Sequence, residues 1–245
     1  MRLPSGIACL LLLAGCRAEA TVGDPGPPDT RTLPDLIACN DSVIGGEALR
    51  QLTRVEFDLR IREPTFEVDA TYVAERRGTA RIDIFDDGRR VFSEGWDGRS
   101  GWQLLQGASA PVPTSPEAGA PLRHGLEQPG HLWTLRDMPA HGHSIEEDTT
   151  TEREAGERVI HLTLADGFEN WLWLDTATCH LTRKRDFRAY HPDVDSTQTW
   201  LETRFADFRA SDGVTRAWLT WTMDLATGDT VGVTRLTAVR GVRVP

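Results

Sequence analysis

The chain has 245 residues, of which 39% are hydrophobic and 26% are charged, and it contains 22 Gly and 14 Pro. This balance is typical of a globular protein, and it excludes a coiled coil, a collagen and a mostly disordered chain. The formal net charge is −10. An acidic chain lacks the basic face that binds phosphate backbones, so we exclude nucleic acid as a partner.

The N-terminus has the pattern of an export signal. An apolar run covers residues 7–14, and about eight apolar residues are too few for a membrane span, which needs roughly 20. The run ends in Leu13-Ala14-Gly15-Cys16, which matches the bacterial lipobox. We therefore predict a lipoprotein signal peptide over residues 1–15, with an ordinary cleaved signal and a chance cysteine as the alternative.

Cys16 is the predicted lipidation site, because the lipobox cysteine receives acyl chains and two or more chains hold a protein stably on a bilayer. The next residue is Arg17 rather than Asp, which favours delivery to the outer membrane, on its periplasmic side. Residues 16–34 are rich in Pro and Gly and predict a flexible linker. The remaining residues, 35–245, form the predicted folded domain.

Two of the four cysteines remain once Cys9 is cut away and Cys16 is acylated. These are Cys39 and Cys179, which in an oxidising periplasm form a possible disulfide. Such a bridge would close a loop of about 140 residues and contribute on the order of 4 to 5 kcal/mol. Two separate buried thiols are the alternative.

The body of the chain has the period of β-strands. A short helix is predicted within residues 42–52, and from Val55 to Ile61 apolar and charged residues alternate strictly. Residue-Gly dipeptides separate the later runs as hairpin turns do. Two runs, at residues 170–175 and 217–223, are apolar on both faces and need cover on each side. The pattern predicts a mainly β domain with an antiparallel meander.

A Pro-rich insertion at residues 106–143 interrupts this meander. We interpret it as a lid-like segment that covers the domain, with a mobile loop as an equal alternative. Imidazole and carboxylate groups in this region could hold zinc, but the spacing favours solvated loop histidines and we predict no metal and no cofactor. The histidines concerned are His124, His131, His141 and His143.

No motif of a hydrolase is present, so we predict that the protein is not an enzyme. The basic run Arg183-Lys184-Arg185, with Arg188 nearby, could contact lipid headgroups. Because Asp186 lies within it and the chain is acidic, a solvated strand face is the favoured interpretation.

The order of these features resembles that of the LolA/LolB lipoprotein-carrier superfamily, which includes outer-membrane lipoprotein-sorting-like proteins. The resemblance covers the chain from about Ile44 to its C-terminus. It rests on the lipobox, a Gly-Gly helix before the first strand, and three short motifs: Trp96-Asp97-Gly98 with Ser100-Gly101-Trp102, Leu174-Asp175, and Phe205-Ala206-Asp207-Phe208 followed by Asp212-Gly213-Val214.

The resemblance implies a strongly curved antiparallel sheet, an unclosed barrel, with short helices over its open side and a cavity for an acyl chain or another lipid-like ligand. The implied cavity residues are Phe57, Leu59, Trp96, Trp102, Trp171, Trp173, Trp218 and Trp221. Trp218 and Trp221 have opposite parity on one strand, so not all of these side chains can point inward. Plain core packing is the alternative for each tryptophan.

Three functional hypotheses follow. The first is a membrane-anchored periplasmic lipoprotein that binds an acyl chain, with a role in lipid or lipoprotein transport or in envelope sensing. The second is a non-catalytic scaffold with a filled barrel interior, whose partner is another envelope protein. The third, and least favoured, is a metal-dependent enzyme that uses the histidine segment.

Overall fold

The computed structural model describes residues 29–243. Cys16, the predicted export signal and most of the predicted linker lie outside this range. Within it, the helices are α1 (Leu33–Val43), α2 (Gly46–Arg50), α3 (Pro116–Glu127) and a 3₁₀ helix (Leu135–His141). None of the helices in the described range is long and apolar enough to cross a membrane.

Thirteen strands in the described range form one antiparallel sheet. Its order is β6-β5-β4-β3-β2-β1-β13-β12-β11-β10-β9-β8-β7, so the C-terminal strand pairs with the first one in the middle of the sheet. The strands are β1 (Leu52–Glu63), β2 (Phe66–Glu75), β3 (Thr79–Asp86), β4 (Arg89–Trp96), β5 (Gly101–Leu105), β6 (Val112–Pro113), β7 (Ser144–Asp148), β8 (Glu157–Thr163), β9 (Glu169–Asp175), β10 (Leu181–Arg188), β11 (Thr199–Ser211), β12 (Val214–Asp224) and β13 (Thr230–Arg243).

The two edge strands, β6 and β7, do not pair with each other, so the strongly curved sheet is an unclosed barrel. The predicted fold class, mainly β with short helices over the open side, is confirmed. Alternation of apolar residues explains the strands, and glycines with positive φ, such as Gly78 (+91°) and Gly88 (+73°), close the hairpins.

All the helices pack on one face of the sheet, which we call the inner face. At one end, α2, the last turn of α3 and the segment after it cover β1 to β3 through Leu49, Leu126 and Leu132. At the other end, α1 and the 3₁₀ helix cover β8 and β9 through Leu36 and Met138. These two core clusters bury two parts of the inner face and leave apolar residues beside the first cluster half-buried.

Helix α3 spans the open side of the barrel. It packs along β3, β4 and β5, while Arg123 and His124 reach the carboxylate of Asp166 in the turn between β8 and β9; the His124 Nε2 to Asp166 Oδ2 distance is 2.8 Å. Most of the predicted insertion, from Pro116 to His141, therefore lies over the inner face, while Val112–Pro113 forms the edge strand β6.

Helix α1 begins within the stretch that the sequence assigned to the linker. The Thr32 side chain caps the helix and the Asp35 carboxylate accepts a hydrogen bond from the Thr32 backbone N–H at 3.0 Å. Pro34 suits the first turn because that position needs no backbone N–H. The single helix predicted for residues 42–52 is in fact the end of α1, a break at Gly45, and α2.

A disulfide joins Cys39 in α1 to Cys179 in the turn between β9 and β10. The Asn40 side-chain amide donates to the Cys179 carbonyl at 2.8 Å beside it. The bridge and this hydrogen bond attach α1 to the sheet that it covers.

Candidate functional site

Beside the first core cluster, the inner face carries an apolar surface that is half-buried. Strand register places its members on one face: Ile84 lies between Ala70 and Phe92 on the neighbouring strands, and Leu236 lies opposite Leu59. We call this surface the inner trough; it consists of Ile61, Ile82, Ile84, Phe92, Trp218 and Leu236. Four of these residues extend the first core cluster toward solvent.

A polar group closes one end of the inner trough. The Arg216 guanidinium lies 5.6 Å from the centroid of the Phe57 ring. The His131 ring, from the segment after α3, packs against Phe57 and Tyr72 with centroid distances of 5.5 and 4.8 Å. A cation and an imidazole are therefore held among aromatic rings inside the barrel.

Burial shifts the pKa values of these groups. It lowers the pKa of His131 to about 4, with further lowering by the charges of Arg216 and Lys184, so His131 is neutral at pH 7. Burial also lowers the pKa of Arg216 to about 10, which leaves that guanidinium charged at pH 7. Burial raises the pKa of Tyr72 above its ordinary value.

Several buried nitrogen atoms at this end have no hydrogen-bond partner among residues 29–243. They are Nε and Nη2 of Arg216, Nδ1 of His131 and Nε1 of Trp218. Arg216 and Trp218 lie two positions apart on β12, so their side chains leave the same face of the sheet. We call these three residues the donor cluster.

A second polar network on the inner face is paired. Lys184, the only lysine in the chain, lies 3.1 Å from the carboxylate of Asp186 and donates to Gln128 at 2.8 Å. Arg188 donates to the same carboxylate at 3.0 Å. Burial alone would raise the pKa of Asp186, but Lys184 and Arg188 hold it below its ordinary value.

The eight residues proposed from the resemblance divide equally between the two faces of the sheet. Strand register and packing place four on the inner face: Phe57, Leu59, Trp96 and Trp218. They place the other four on the opposite face, which we call the outer face: Trp102, Trp171, Trp173 and Trp221. The parity that separates Trp218 from Trp221 in the sequence separates them in the structure.

The outer-face tryptophans have packing partners of their own. The Trp173 indole is fully buried, donates to the Glu152 carbonyl at 3.1 Å, and packs under Arg183 and Arg185. Trp102 lies over the bare backbone of Gly95. These side chains are outside the barrel interior that the resemblance assigned to them, because β5, β9 and β12 direct them away from the helices.

The outer face carries a groove of about 720 Å³. Its aromatic wall is formed by Trp171, Phe187 and Trp200, and Leu225 completes the apolar lining. Phe187, Trp200 and Leu225 are 45%, 39% and 37% exposed. We call this feature the outer groove. A second cavity, of about 450 Å³, lies beside Trp102 on the same face.

The histidines of the insertion are not all solvated, as the sequence suggested. His124 and His143 are buried, and His143 accepts a hydrogen bond from the Ala165 backbone N–H at 3.0 Å; only His141 is exposed. The helix and loop pack inward because their leucines belong to the two core clusters. Within the described range, no group of three metal-ligating side chains is close enough together to hold an ion.

The basic run also differs from its predicted solvated face. Lys184 and Arg188 point to the inner face, while Arg183 and Arg185 lie on the outer face, and all four are half-buried. Successive side chains of a strand point to opposite faces of the sheet, so the even-numbered Lys184 and Arg188 and the odd-numbered Arg183 and Arg185 lie on different faces.

Sequence reasoning missed Arg216 and the partly enclosed position of His131. A signal for Arg216 was present, because Val214, Arg216 and Trp218 share one parity and place a charge between two apolar residues. A signal for His131 was the adjacent pair Leu132 and Trp133, which anchors that loop to the sheet.

A curved, unclosed antiparallel sheet with helices across its inner face is a LolA-like half-barrel. Among solved structures, the chain is similar to a LolA superfamily protein from Nitrosomonas europaea, with a TM-score of 0.56 and 13% identity over 88% of this chain and 96% of that one. This likeness shows the fold.

More distant likenesses include a DUF1329 family protein from Desulfovibrio piger, with a TM-score of 0.47 and 10% identity over 84% of this chain and 92% of that one. Another is the lipoprotein LppX from Mycobacterium tuberculosis, with a TM-score of 0.30 and 9% identity over 86% of this chain and 95% of that one. The sequence matches no protein-family model and no curated protein.

Proposed function

We propose that this protein is a lipid-anchored protein of the bacterial envelope that binds an acyl chain or a similar apolar ligand in the inner trough, without catalysis. The observation that carries the proposal is the half-buried state of the trough. Its isoleucines pack against the first core cluster, yet they are only half-buried beside the fully buried residues of that cluster.

Apolar burial would supply the binding energy. Each methylene removed from water contributes about 0.8 kcal/mol, so an acyl chain lying along the trough needs no specific polar contact to be held. The strands of the sheet already form the surface of the trough, and a preformed site loses less free energy to ordering when the ligand binds.

The cellular location is part of the proposal. The lipobox cysteine, Cys16, would carry the anchor, and the Cys39–Cys179 disulfide fits the oxidising periplasm. We place the protein at the outer membrane, facing the periplasm, in lipid or lipoprotein transport or in envelope sensing.

The outer groove favours a second candidate function, the docking of another envelope protein. Aromatic side chains in an exposed groove are typical of protein interfaces, and Phe187, Trp200 and Leu225 are exposed together there. The test of the first function must therefore distinguish the two faces of the sheet.

Binding of Nile red, an uncharged apolar dye, and its displacement by dodecanol provide that test. The full chain would carry Cys16→Ser, which removes the predicted acylation thiol. Ile84→Trp adds bulk to the inner trough, and Trp200→Ala removes a wall of the outer groove. We expect Ile84→Trp to weaken dodecanol binding about tenfold, which corresponds to the loss of two buried methylenes, while Trp200→Ala leaves it within about twofold.

Circular dichroism and a thermal unfolding curve would verify the fold of each variant, with Ile82→Phe as a milder substitute for Ile84→Trp. Binding that is sensitive to Trp200→Ala and insensitive to both isoleucine variants would assign the ligand to the outer groove. That result, or the absence of dye binding by the parent chain, overturns the proposal.

A further inference from the structure

Arg216 is a buried charge without a counter-ion among the described residues. It is 8% exposed, and no hydrogen bond or ion pair in residues 29–243 reaches its guanidinium. Asp212, the carboxylate whose charge acts on it, lies at the turn before β12 and does not contact it. An unpaired buried charge destabilises a folded protein, so its presence calls for a function.

The other unpartnered atoms of the donor cluster can, like those of Arg216, donate hydrogen bonds. The guanidinium and the Trp218 indole can only donate hydrogen bonds, and the free Nδ1 of His131 is a donor in one of its two tautomers. A group that satisfies all three must offer several acceptor atoms and a negative charge. Carboxylate and phosphate have both properties.

The donor cluster lies next to the inner trough. Trp218 belongs to both, since its ring lines the trough and its Nε1 lies in the donor cluster. The Phe57 ring lies under Arg216 and the Tyr72 ring lies beside His131. A small hydrated anion would lose its water among these rings, whereas an anion attached to an apolar chain would place the chain along the trough.

A neighbouring arginine, unlike Arg216, has an acidic partner. In the register of β11 and β12, Arg209 lies opposite Arg216 on the same face. Arg209 is exposed and donates two hydrogen bonds to Asp207, at 2.8 and 2.6 Å. Like charges directly opposite each other repel, and only one of this pair has its own acid.

We propose that the donor cluster binds the anionic headgroup, a carboxylate or a phosphate, of a single-chain amphiphile whose apolar chain lies in the inner trough. This inference rests on the proposed function, and it names the class of ligand.

The experiment compares ligands that share one chain. Isothermal calorimetry with the full chain carrying Cys16→Ser would measure laurate, dodecyl phosphate and uncharged dodecanol, and acetate and inorganic phosphate as headgroups without a chain. We expect laurate or dodecyl phosphate to bind at least about tenfold more tightly than dodecanol, as a charged hydrogen bond allows. The tighter of the two identifies the headgroup, and acetate and inorganic phosphate should bind at least a hundredfold more weakly.

Arg216→Met removes the charge and keeps a long apolar side chain, and Arg235→Met, at an exposed arginine on the outer face of the adjacent strand β13, is its control. Arg216→Met should abolish the preference for the charged ligand and leave dodecanol affinity within about threefold, while Arg235→Met keeps the preference. Equal affinities for laurate, dodecyl phosphate and dodecanol in the parent chain overturn the anionic headgroup and leave the proposed function intact. If none of the three amphiphiles binds, the proposed function fails as well.

Thermal unfolding without ligand adds a readout that separates a ligand anchor from a structural arginine. Since Arg216 has no partner to lose, Arg216→Met should raise or preserve the midpoint temperature of the ligand-free chain. A midpoint lowered by Arg216→Met, together with a retained preference for the charged ligand, would contradict the proposal.

Discussion

Buried charges on the outer face are paired, whereas the inner face holds, besides the paired Asp186, one buried charge that is not. On the outer face, Glu202 is 1% exposed and accepts hydrogen bonds from Arg185 at 2.8 Å and from Arg204 at 2.9 Å. Arg183, beside them, pairs with Glu157. On the inner face, Arg216 is nearly as buried but has no such partner in the described range.

This difference distinguishes charges that support the fold from a charge that costs stability. Paired charges offset their loss of water through good geometry, and an unpaired one does not. Natural proteins keep such costly groups mainly where function needs them. The outer network therefore holds strands together, and the donor cluster is the part of the barrel that is arranged for a ligand.

The largest expected effect comes from breaking the outer network. Glu202→Gln keeps the shape of the side chain but removes the charge that Arg185 and Arg204 share, so the free energy of unfolding should fall by about 3 kcal/mol. Urea unfolding followed by tryptophan fluorescence measures this change.

Glu67→Gln is the matched control, because its partner Arg60 lies 3.3 Å away and both side chains are about half exposed. That change should cost less than about 1 kcal/mol. Equal effects of the two substitutions would mean that the outer network is no stronger than an ordinary surface pair.

A smaller expected effect is the loss of folding stability at low pH that is caused by His131 in the donor cluster. The pKa of His131 is about 4 in the folded protein, below its ordinary value of 6.5. The unfolded chain therefore binds a proton that the folded one excludes, and stability is lost as the pH falls from 6.5 toward 4. By pH 5 the loss from this residue should be about 2 kcal/mol.

His131→Phe should flatten that part of the curve of unfolding free energy against pH, measured in urea between pH 7 and pH 5. His141→Phe, at an exposed histidine of the same segment, should leave it unchanged. Identical slopes for His131→Phe and the parent chain would show that His131 is accessible to solvent and does not belong to a buried cluster.

Much of the fold could be predicted from local patterns. The alternation of apolar and polar residues and the residue-Gly turns together predict an antiparallel sheet. Both signals depend only on residues that are neighbours in the chain, so the sequence alone shows them. The start of α1 was missed because Pro34 continues a Pro-rich stretch, and its role in the first helical turn depends on the cap formed by Thr32 and Asp35.

The site was harder to predict. Parity shows that Trp218 and Trp221 face opposite ways, but only tertiary packing shows which face meets the helices. The donor cluster unites β12 with the segment after α3, and no local pattern encodes that contact.

We expect an apolar chain bound by this protein to lie on the inner face of the sheet. A crystal structure of the protein with a laurate brominated at its terminal carbon tests it most directly, since the anomalous signal locates the bromine. We expect the bromine in the inner trough, within contact of Ile61, Ile82 or Ile84. A bromine in the outer groove beside Trp200 would contradict the claim.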